Sequence, residues 1–488
     1  MTKTQTVTPV TFSGLTNPLS GRQESATPLT KPFRLVLSYY SPDGIAYSMP
    51  VACLSSYVKR EFPGIEVHLV DINTTLANKE DHTVEGFVKR VEALKPDLVG
   101  MSCMSLHWFP LLPYLEGLKA VQPDVPILVG GYQAILAPDE TIAHPAVDFA
   151  CVGDGEYPLG GLIRILDQGL SDVIPGLWKK GLDGSVVKTD PVLTEDLSSM
   201  PYPDYTIYER DGKLNGIQIS SLGVPNDMLI LPAMTGRGCP YRCTYCSNST
   251  LLETFNGKGS ILRKYDAEVL VQELVRLRDR YGVGYYEFWD ELFLWNMKYV
   301  YHFLELYKKH VGLPFSITSR VEKMDETFCY TAKDAGCHAI WFGIESGSEA
   351  YRHKYLNRRM TNEQVIEAAR NTRKAGIRTM TFNLVGLPYE TREDMIQTLE
   401  LNKTIRPDVF HVYPFMPLRG TALYTLAQKE GLLLDDEMAE EFGASARTGR
   451  YKMNLKQHAG SVSPDEFNDI CHLMEQFKWG SAPSTYYS

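Results

Sequence analysis

Cys239, Cys243 and Cys246 fall within eight residues of one another, in Gly236-Arg237-Gly238-Cys239-Pro240-Tyr241-Arg242-Cys243-Thr244-Tyr245-Cys246. Iron–sulfur clusters are held by cysteine thiolates, and three thiolates on a cubane leave one of its four irons open to a small ligand. A structural zinc site recruits a fourth Cys or His at short spacing. The neighbours Ser247 and Asn248 are poor substitutes, so zinc is the lesser reading. The remaining cysteines (Cys53, Cys103, Cys151, Cys329, Cys337 and Cys471) stand singly, mostly in apolar surroundings. They read as buried thiols acting as small hydrophobes. Nine cysteines in 488 residues do not suggest a disulfide scaffold. The cluster of three points to a metal in a reducing cytoplasm.

Other polar residues stand where strands are expected to end. Asp290 and Glu291 follow Phe288-Trp289, and Ser319-Arg320 closes another β-rich run. Further exits are Gly343-Ile344-Glu345-Ser346-Gly347 and Asn383-Leu384-Val385-Gly386-Leu387-Pro388. Each has a plainer role available: a carboxylate capping the next helix, or an arginine in a surface ion pair. Gathered at one barrel face they mark an active site, because barrel enzymes build their sites there.

The elements that would position these residues form two series. Strands are expected near Arg34–Tyr40, Ile65–Asp71, Asp97–Cys103, Val125–Gly130 and Val147–Val152, with helices between, as around Ile45–Glu61 and Thr83–Lys95. This alternation suggests an open, doubly wound sheet whose ligand lies beyond the strands' carboxyl ends. The exits there are Tyr40-Ser41-Pro42-Asp43-Gly44, Ser102-Cys103-Met104-Ser105, Gly130-Gly131-Tyr132-Gln133 and Gly153-Asp154-Gly155-Glu156. Small residues let a large ligand approach the backbone, although glycine after a strand is also ordinary turn chemistry. The second series has strands near Met228–Met234, Tyr285–Trp289, Phe315–Thr318, His338–Phe342, Arg378–Leu384 and Val409–Val412. Helices at Ala267–Tyr281 and Asn362–Ala375 separate them, the latter opened by a Thr361/Gln364 capping box and closed by Gly376. Six such units fit a partial barrel better than a complete one.

The expected division is a flexible tail (1–30), a doubly wound Rossmann-like α/β domain (31–170), a proline-rich connector (171–226), a partial (β/α)6 barrel (227–421) and a small mixed or helical C-terminal cover (422–488). A formal net charge of −10 argues against general affinity for nucleic acid. No apolar run is long enough to span a bilayer.

The Cys-x-x-x-Cys-x-x-Cys spacing, with an aromatic residue before the last cysteine, resembles the signature of the radical S-adenosylmethionine (SAM) enzymes. The resemblance implies a [4Fe–4S] cluster on Cys239, Cys243 and Cys246 whose open iron chelates the amino and carboxylate groups of SAM. An electron from it splits the sulfonium bond to methionine and a 5′-deoxyadenosyl radical. The residues implied for SAM are Tyr245, Ser319 and Ser346, together with Asp290 and Glu291 at the position of the ammonium, Arg320 as a partner for the carboxylate, Glu345 toward the ribose or methionine portion, and Gly386 in the stretch lining adenine.

A five-stranded domain ahead of such a barrel resembles the cobalamin-dependent (B12-binding) branch, and the similarity runs from about Arg34 to Thr421. It implies cobalamin contacts from Ser41, Asp43, Gly44, Ser102, Met104, Ser105, Gly130, Gly131, Tyr132, Gln133, Gly153, Gly155 and Glu156. The Asp-x-His-x-x-Gly of histidine-ligated corrin proteins is missing, since the loop reads Ser41-Pro42-Asp43-Gly44-Ile45-Ala46. The cobalt's lower face would then lack a protein imidazole; His107 and His144 stand nearest and read as solvated or core histidines.

The implied function is C-methylation of an unactivated carbon in a small-molecule substrate, through the 5′-deoxyadenosyl radical and methylcobalamin, with an electron donor such as flavodoxin or ferredoxin. The alternatives are a non-methylating rearrangement, cyclisation, ring contraction or hydroxylation, and a non-enzymatic cobalamin sensor. An RNA-methylthiolating enzyme fits less well, with no basic appended module in the chain. No catalytic acid, base or radical relay is assigned, and the substrate pocket is expected from segments around 214–227 and 432–488.

Overall fold

The computed structural model describes residues 28–42, 47–73, 79–170, 172–181, 183–214, 224–225, 228–434, 451–458 and 460–476. The first sheet is built from β1 (Arg34–Ser41), β2 (Glu66–Leu69), β3 (Ile72–Asn73), β4 (Leu98–Ser102), β5 (Ile127–Gly130) and β6 (Phe149–Cys151). Its parallel core runs in the order β2-β1-β4-β5-β6, with β3 continuing beside β1. The strands are near-continuous apolar runs, as a sheet covered on both faces requires. One face carries α1 (Met49–Glu61); the other carries α2 (Val84–Leu94) and α3 (Trp108–Val121). Then come α4 (Tyr132–Leu136), α5 (Pro138–Ala143) and α6 (Glu156–Gln168), the last packed beside α1. Such a sheet places its ligand crevice where the strand order reverses, here between the exits of β1 and β4.

The proline-rich connector packs against both sheets. Its hairpin, β7 (Leu177–Lys180) and β8 (Val186–Val187), extends the first sheet antiparallel to β6. Further on, Asp204 accepts from Ser55 Oγ (2.7 Å) and Lys59 Nζ (2.7 Å) of α1, while the Tyr205 hydroxyl donates to Pro232 O in the barrel. Tyr202, Tyr205 and Tyr208 are buried in one apolar core that runs from the first sheet into the barrel.

The second sheet comprises β9 (Ile230–Ala233), β12 (Tyr285–Phe288), β13 (Phe315–Ser319), β14 (Cys337–Glu345), β15 (Arg378–Val385) and β16 (Val409–Pro414), all parallel and paired in that order. A two-stranded ribbon, β10 (Gly236–Arg237) with β11 (Arg263–Lys264), stands between β9 and β12 in sequence. Helices α7 (Ser247–Thr254), α8 (Ala267–Tyr281), α9 (Met297–His310), α10 (Glu326–Asp334), α11 (Glu349–Tyr355), α12 (Asn362–Lys374), α13 (Arg392–Ile405), α14 (Ala422–Lys429) and α15 (Pro464–Gln476) follow.

Period-two alternation sorts the strand residues. Tyr286, Phe288, Phe315, Ile317, Ile340 and Phe342 join the outer core with the helices, whereas Ile230, Tyr285, Ala339 and Met380 form a separate inner cluster. The Thr361/Gln364 capping box is present, and a second one, Thr391/Asp394, opens α13. Among the described residues no helix is long and apolar enough to cross a membrane.

Candidate active site

The three cysteines lie on the loop between β10 and α7, all as free thiols. That loop is pressed onto its neighbours. Gly238 has φ +94°, and a Cβ there would stand 2.1 Å from Ile261 O, so only glycine fits. Glu291 braces the same turn by accepting from Gly238 N (3.1 Å). Burial, with the two nearby thiols adding, pushes the Cys239 thiol up to about 12, and burial also raises Cys246. Thiols so placed need a bound cation to become thiolates, which a metal centre supplies. Among the described residues no three His, Cys, Asp or Glu side chains gather tightly enough for a single metal ion. A cubane carries each thiolate on a different iron and needs no such crowding. The donor set fits the cluster.

Two guanidinium groups approach the Cys243 sulfur: Arg320 Nη1 at 3.3 Å and Arg358 Nη1 at 3.8 Å. Arg320 also stacks 3.7 Å from the Tyr241 ring centroid and is held by Glu322, whose oxygens accept from its Nε at 3.0 and 3.2 Å. Its part in a SAM carboxylate contact, implied by the resemblance, competes with these bonds. Arg358 donates to Tyr245 Oη (3.2 Å) and Gly343 O, and its Nη1 lies 3.8 Å from Glu345 Oε1. Glu345 sits at a register shift in β14 with φ +69°, a strained conformation for a non-glycine residue. Burial raises its carboxyl, and Arg358 opposes the rise. Ser346 is wholly buried and accepts from Ser348 N (3.3 Å), while Ser319 Oγ donates to Arg320 O (3.3 Å). At the β15 exit Gly386 takes φ +75°, and its N and Leu387 N donate to Glu390 Oε2 at 2.6 and 3.1 Å. Phe467 of α15 lies against Gly386.

Asp290 has both oxygens occupied by the protein. It accepts from Thr235 N (2.9 Å), from the Thr235 hydroxyl and from Lys264 Nζ (2.9 Å). The Lys264 ammonium in turn lies 5.5–5.7 Å from the ring centroids of Phe293, Trp295 and Tyr299. The carboxylate anticipated for the SAM ammonium therefore anchors the β10–β11 ribbon.

On the first sheet, Ser41 is buried opposite Asn73, and Ser102 pairs in register with Gly130. Asp43 and Gly44 lie outside the described residues. The β4 and β5 exits are in backbone contact: Gln133 N donates to Cys103 O (3.0 Å), and a Cβ on Gly131 would stand 2.7 Å from that oxygen. Beside this junction Met104 is 51% exposed, an apolar side chain facing outward. Ser105 Oγ and Gln133 Oε1 are buried without a hydrogen-bond partner. Exposed apolar surface beside unsatisfied polar atoms fits a large ligand of mixed polarity, such as a corrin with its amide side chains. His107 packs on Tyr40 (5.4 Å) and His144 on Trp108 (5.8 Å), consistent with the core reading.

The two exit edges meet at a seam. Arg237, two residues ahead of Cys239, bonds Glu156 Oε1 through Nη2 (2.5 Å) and Asp154 Oδ1 through Nη1 (3.3 Å). Arg263 bonds the other Asp154 oxygen, which also accepts from Thr194 N (2.8 Å). A Cβ on Gly153 would stand 2.5 Å from Val192 O, and one on Gly155 would stand 2.9 Å from Leu54 Cδ2. Glu156, expected at the corrin, is thus engaged by the cysteine loop. Tyr132 reaches the same seam and hydrogen-bonds Ser247 at the start of α7. Reasoning along the chain missed Arg237, Arg263, Lys264, Arg358 and Glu390; only Arg237, adjoining the Gly-Cys step, stood near a motif.

Comparison with known proteins agrees with this architecture. The Radical SAM superfamily model matches residues 234–401, and the B12 binding domain model matches residues 41–163. Uncharacterized methyltransferase PH0819 of Pyrococcus horikoshii is 29% identical over 82% of this chain and 81% of its own length. The anaerobic magnesium-protoporphyrin IX monomethyl ester cyclase of Rubrivivax gelatinosus is 26% identical over 67% of this chain and 58% of its own. The structure of the radical SAM methyltransferase TsrM from Kitasatospora setae, with tryptophan substrate and aza-SAM bound, superposes with a TM-score of 0.63 at 18% identity, covering 89% of this chain and 82% of that one. The chain belongs to the cobalamin-dependent radical SAM enzymes, whose cofactors are a [4Fe–4S] cluster, SAM and cobalamin.

Proposed function

We propose that the chain is a C-methyltransferase acting on an unactivated carbon of a small molecule. The observation that carries this reading is the seam, where Glu156 and Asp154 hold Arg237 and bring the cysteine loop against the exit edge of the first sheet. Names among the relatives, PH0819 and TsrM, support methyl transfer.

In this reading residues 31–170 hold the corrin, 171–226 connect the two domains, 227–421 form the catalytic barrel, and the described residues of 422–488 cover it. Cys239, Cys243 and Cys246 hold the cluster. Tyr245, Ser319, Glu345, Ser346 and Gly386, joined by Arg358, surround SAM, while Glu291 supports the loop from below. Ser41, Ser102, Met104, Ser105, Gly130, Gly131, Tyr132, Gln133, Gly153 and Gly155 are assigned to the corrin, as are Asp43 and Gly44, which lie outside the described residues. When bound, these cofactors supply the electron that cleaves SAM, the hydrogen-abstracting radical and the transferable methyl group. The positive charge of Arg320 and Arg358 beside Cys243 favours the more negative state of whatever that sulfur binds. Phe467 over Gly386 limits water at the mouth. The seam holds the two exits in fixed register, which matters because reacting groups must stand near contact distance. A flavodoxin or ferredoxin would deliver the electron.

The test is turnover with SAM deuterated in its methyl group. Label on a product carbon supports methylation. An unlabelled product formed with consumption of SAM supports the second reading, cyclisation or rearrangement, for which the similarity to the Rubrivivax cyclase speaks.

A further inference from the structure

We propose that the barrel lumen beneath Glu345 is a binding chamber for a planar ring that presents an N–H group to Glu287; the proposal deepens the radical SAM reading of the mouth above and rests on it. Along β14, Ile340, Phe342 and Ile344 belong to the outer core, so Ala339, Trp341, Gly343 and Glu345 line the lumen. A strand rises about 3.3 Å per residue, which sets Trp341 roughly 13 Å below Glu345. Between them a Cβ on Gly343 would stand 2.0 Å from Glu345 Oε1. The Glu345 carboxylate therefore folds back over Gly343 and roofs the space below. The floor is the buried cluster of Ile230, Tyr285, Ala339 and Met380.

The two flanks differ in chemistry. On one, Glu287 and Ser316 are neighbours in register on β12 and β13. On the other, Phe382 and His411 are neighbours on β15 and β16, with Tyr413 two residues further along. Phe382 and His411 have centroids 6.0 Å apart at an interplanar angle of 15°, and His411 and Tyr413 5.7 Å apart at 26°. Trp341 and Phe382 rest on the floor cluster with centroids 5.9 Å apart, and both stay only partly buried, so each keeps some aromatic surface open. Such faces favour an aromatic partner.

Glu287 supplies the polar half of the recognition. It is 5% exposed, and among the described residues its carboxylate forms no ion pair with Lys, Arg or His; Trp289 is its hydrogen-bond partner. Burial pushes its carboxyl up to about 7. A buried carboxyl without a cation is costly unless a donor meets it. Trp341 Nε1 also lacks a partner in the same region. An N–H on a flat ring satisfies the carboxyl while the ring lies along the aromatic flank.

The test uses full-length protein reconstituted without oxygen, and two probes of one shape: indole, which has the N–H, and benzofuran, which has oxygen there. Equilibrium dialysis is expected to show indole bound about tenfold more tightly. Glu287→Leu should erase that preference, and Glu287→Gln, which keeps an acceptor, should retain it. Phe382→Ala should weaken both probes. Equal affinities in the unmodified protein, a preference that survives Glu287→Leu, or no saturable binding of either probe overturns the chamber. Release of 5′-deoxyadenosine from SAM under dithionite, followed in the same preparation, reports the mouth separately. Cleavage of SAM without indole binding removes the chamber and leaves the enzyme reading intact; no iron and no cleavage removes both.

Discussion

At the seam between the two sheets, each buried carboxylate faces a guanidinium: Glu156 meets Arg237, and Asp154 meets Arg237 and Arg263. In the recesses on either side Ser105, Gln133 and Trp341 keep buried polar atoms without partners and with no such ion pair beside them; at the seam Arg263 Nε and Thr194 Oγ1 are unpartnered too, but on residues that already bond Asp154 through other atoms. The difference separates positioning from recognition. Paired charges hold two elements in one geometry, since removing either partner strands the other in low dielectric. An unpartnered donor or acceptor costs the fold free energy and is best explained by something absent from the polypeptide.

Breaking the cysteine loop should have the largest effect. Cys243→Ala removes one of three thiolates and the sulfur that both Arg320 and Arg358 approach. Iron analysis should show the cluster lost, and chromatography should show no 5′-deoxyadenosine, while cobalamin binding to the first domain persists.

The seam ranks next. Glu156→Ala leaves Arg237 with one carboxylate partner and is expected to cost about 3–5 kcal/mol in chemical denaturation. Loss of less than about 1 kcal/mol would show that the pair does not hold the domains in place.

Glu390 sharpens the contrast through pH. Burial raises its carboxyl to about 8, although it accepts from Gly386 N and Leu387 N. The folded state therefore keeps a proton that the unfolded chain releases near the ordinary value of about 4.5. This contribution to stability is complete below that value and is lost as pH rises toward 8. Glu390→Gln, which cannot ionise, should gain on the wild type by roughly 2–4 kcal/mol between pH 5 and 8. A constant difference across that range would mean the carboxyl is not held neutral.

The smallest effect belongs to a site far from either class. Thr361→Ala removes the cap of α12 and should cost about 1 kcal/mol of stability with SAM cleavage unchanged.

What could be read along the chain was what the chain specifies locally. The strand exits, the capping box at Thr361 and the cysteine triad depend on residues a few positions apart, and the structure has the strands and the cap where periodicity puts them. Roles set by distant partners were not legible. Asp290 looks like a ligand carboxylate until Lys264 and Thr235 are seen to occupy it. Glu156 looks like part of a corrin loop until Arg237, 81 positions away, arrives beside it. Arg358 lies 115 positions from Cys243 in a run of unremarkable polar residues, and only the turn after α11 brings it to the sulfur. The burial of Tyr202 and Tyr205 within the connector was not legible either, because it depends on both sheets at once.

The most direct measurement is metal analysis with electron paramagnetic resonance on protein isolated and reconstituted without oxygen. One cubane on Cys239, Cys243 and Cys246 predicts about four irons per chain, and a dithionite-reduced signal that shifts when SAM is added. Zinc in place of iron, or an iron signal indifferent to SAM, contradicts a cluster with an open corner.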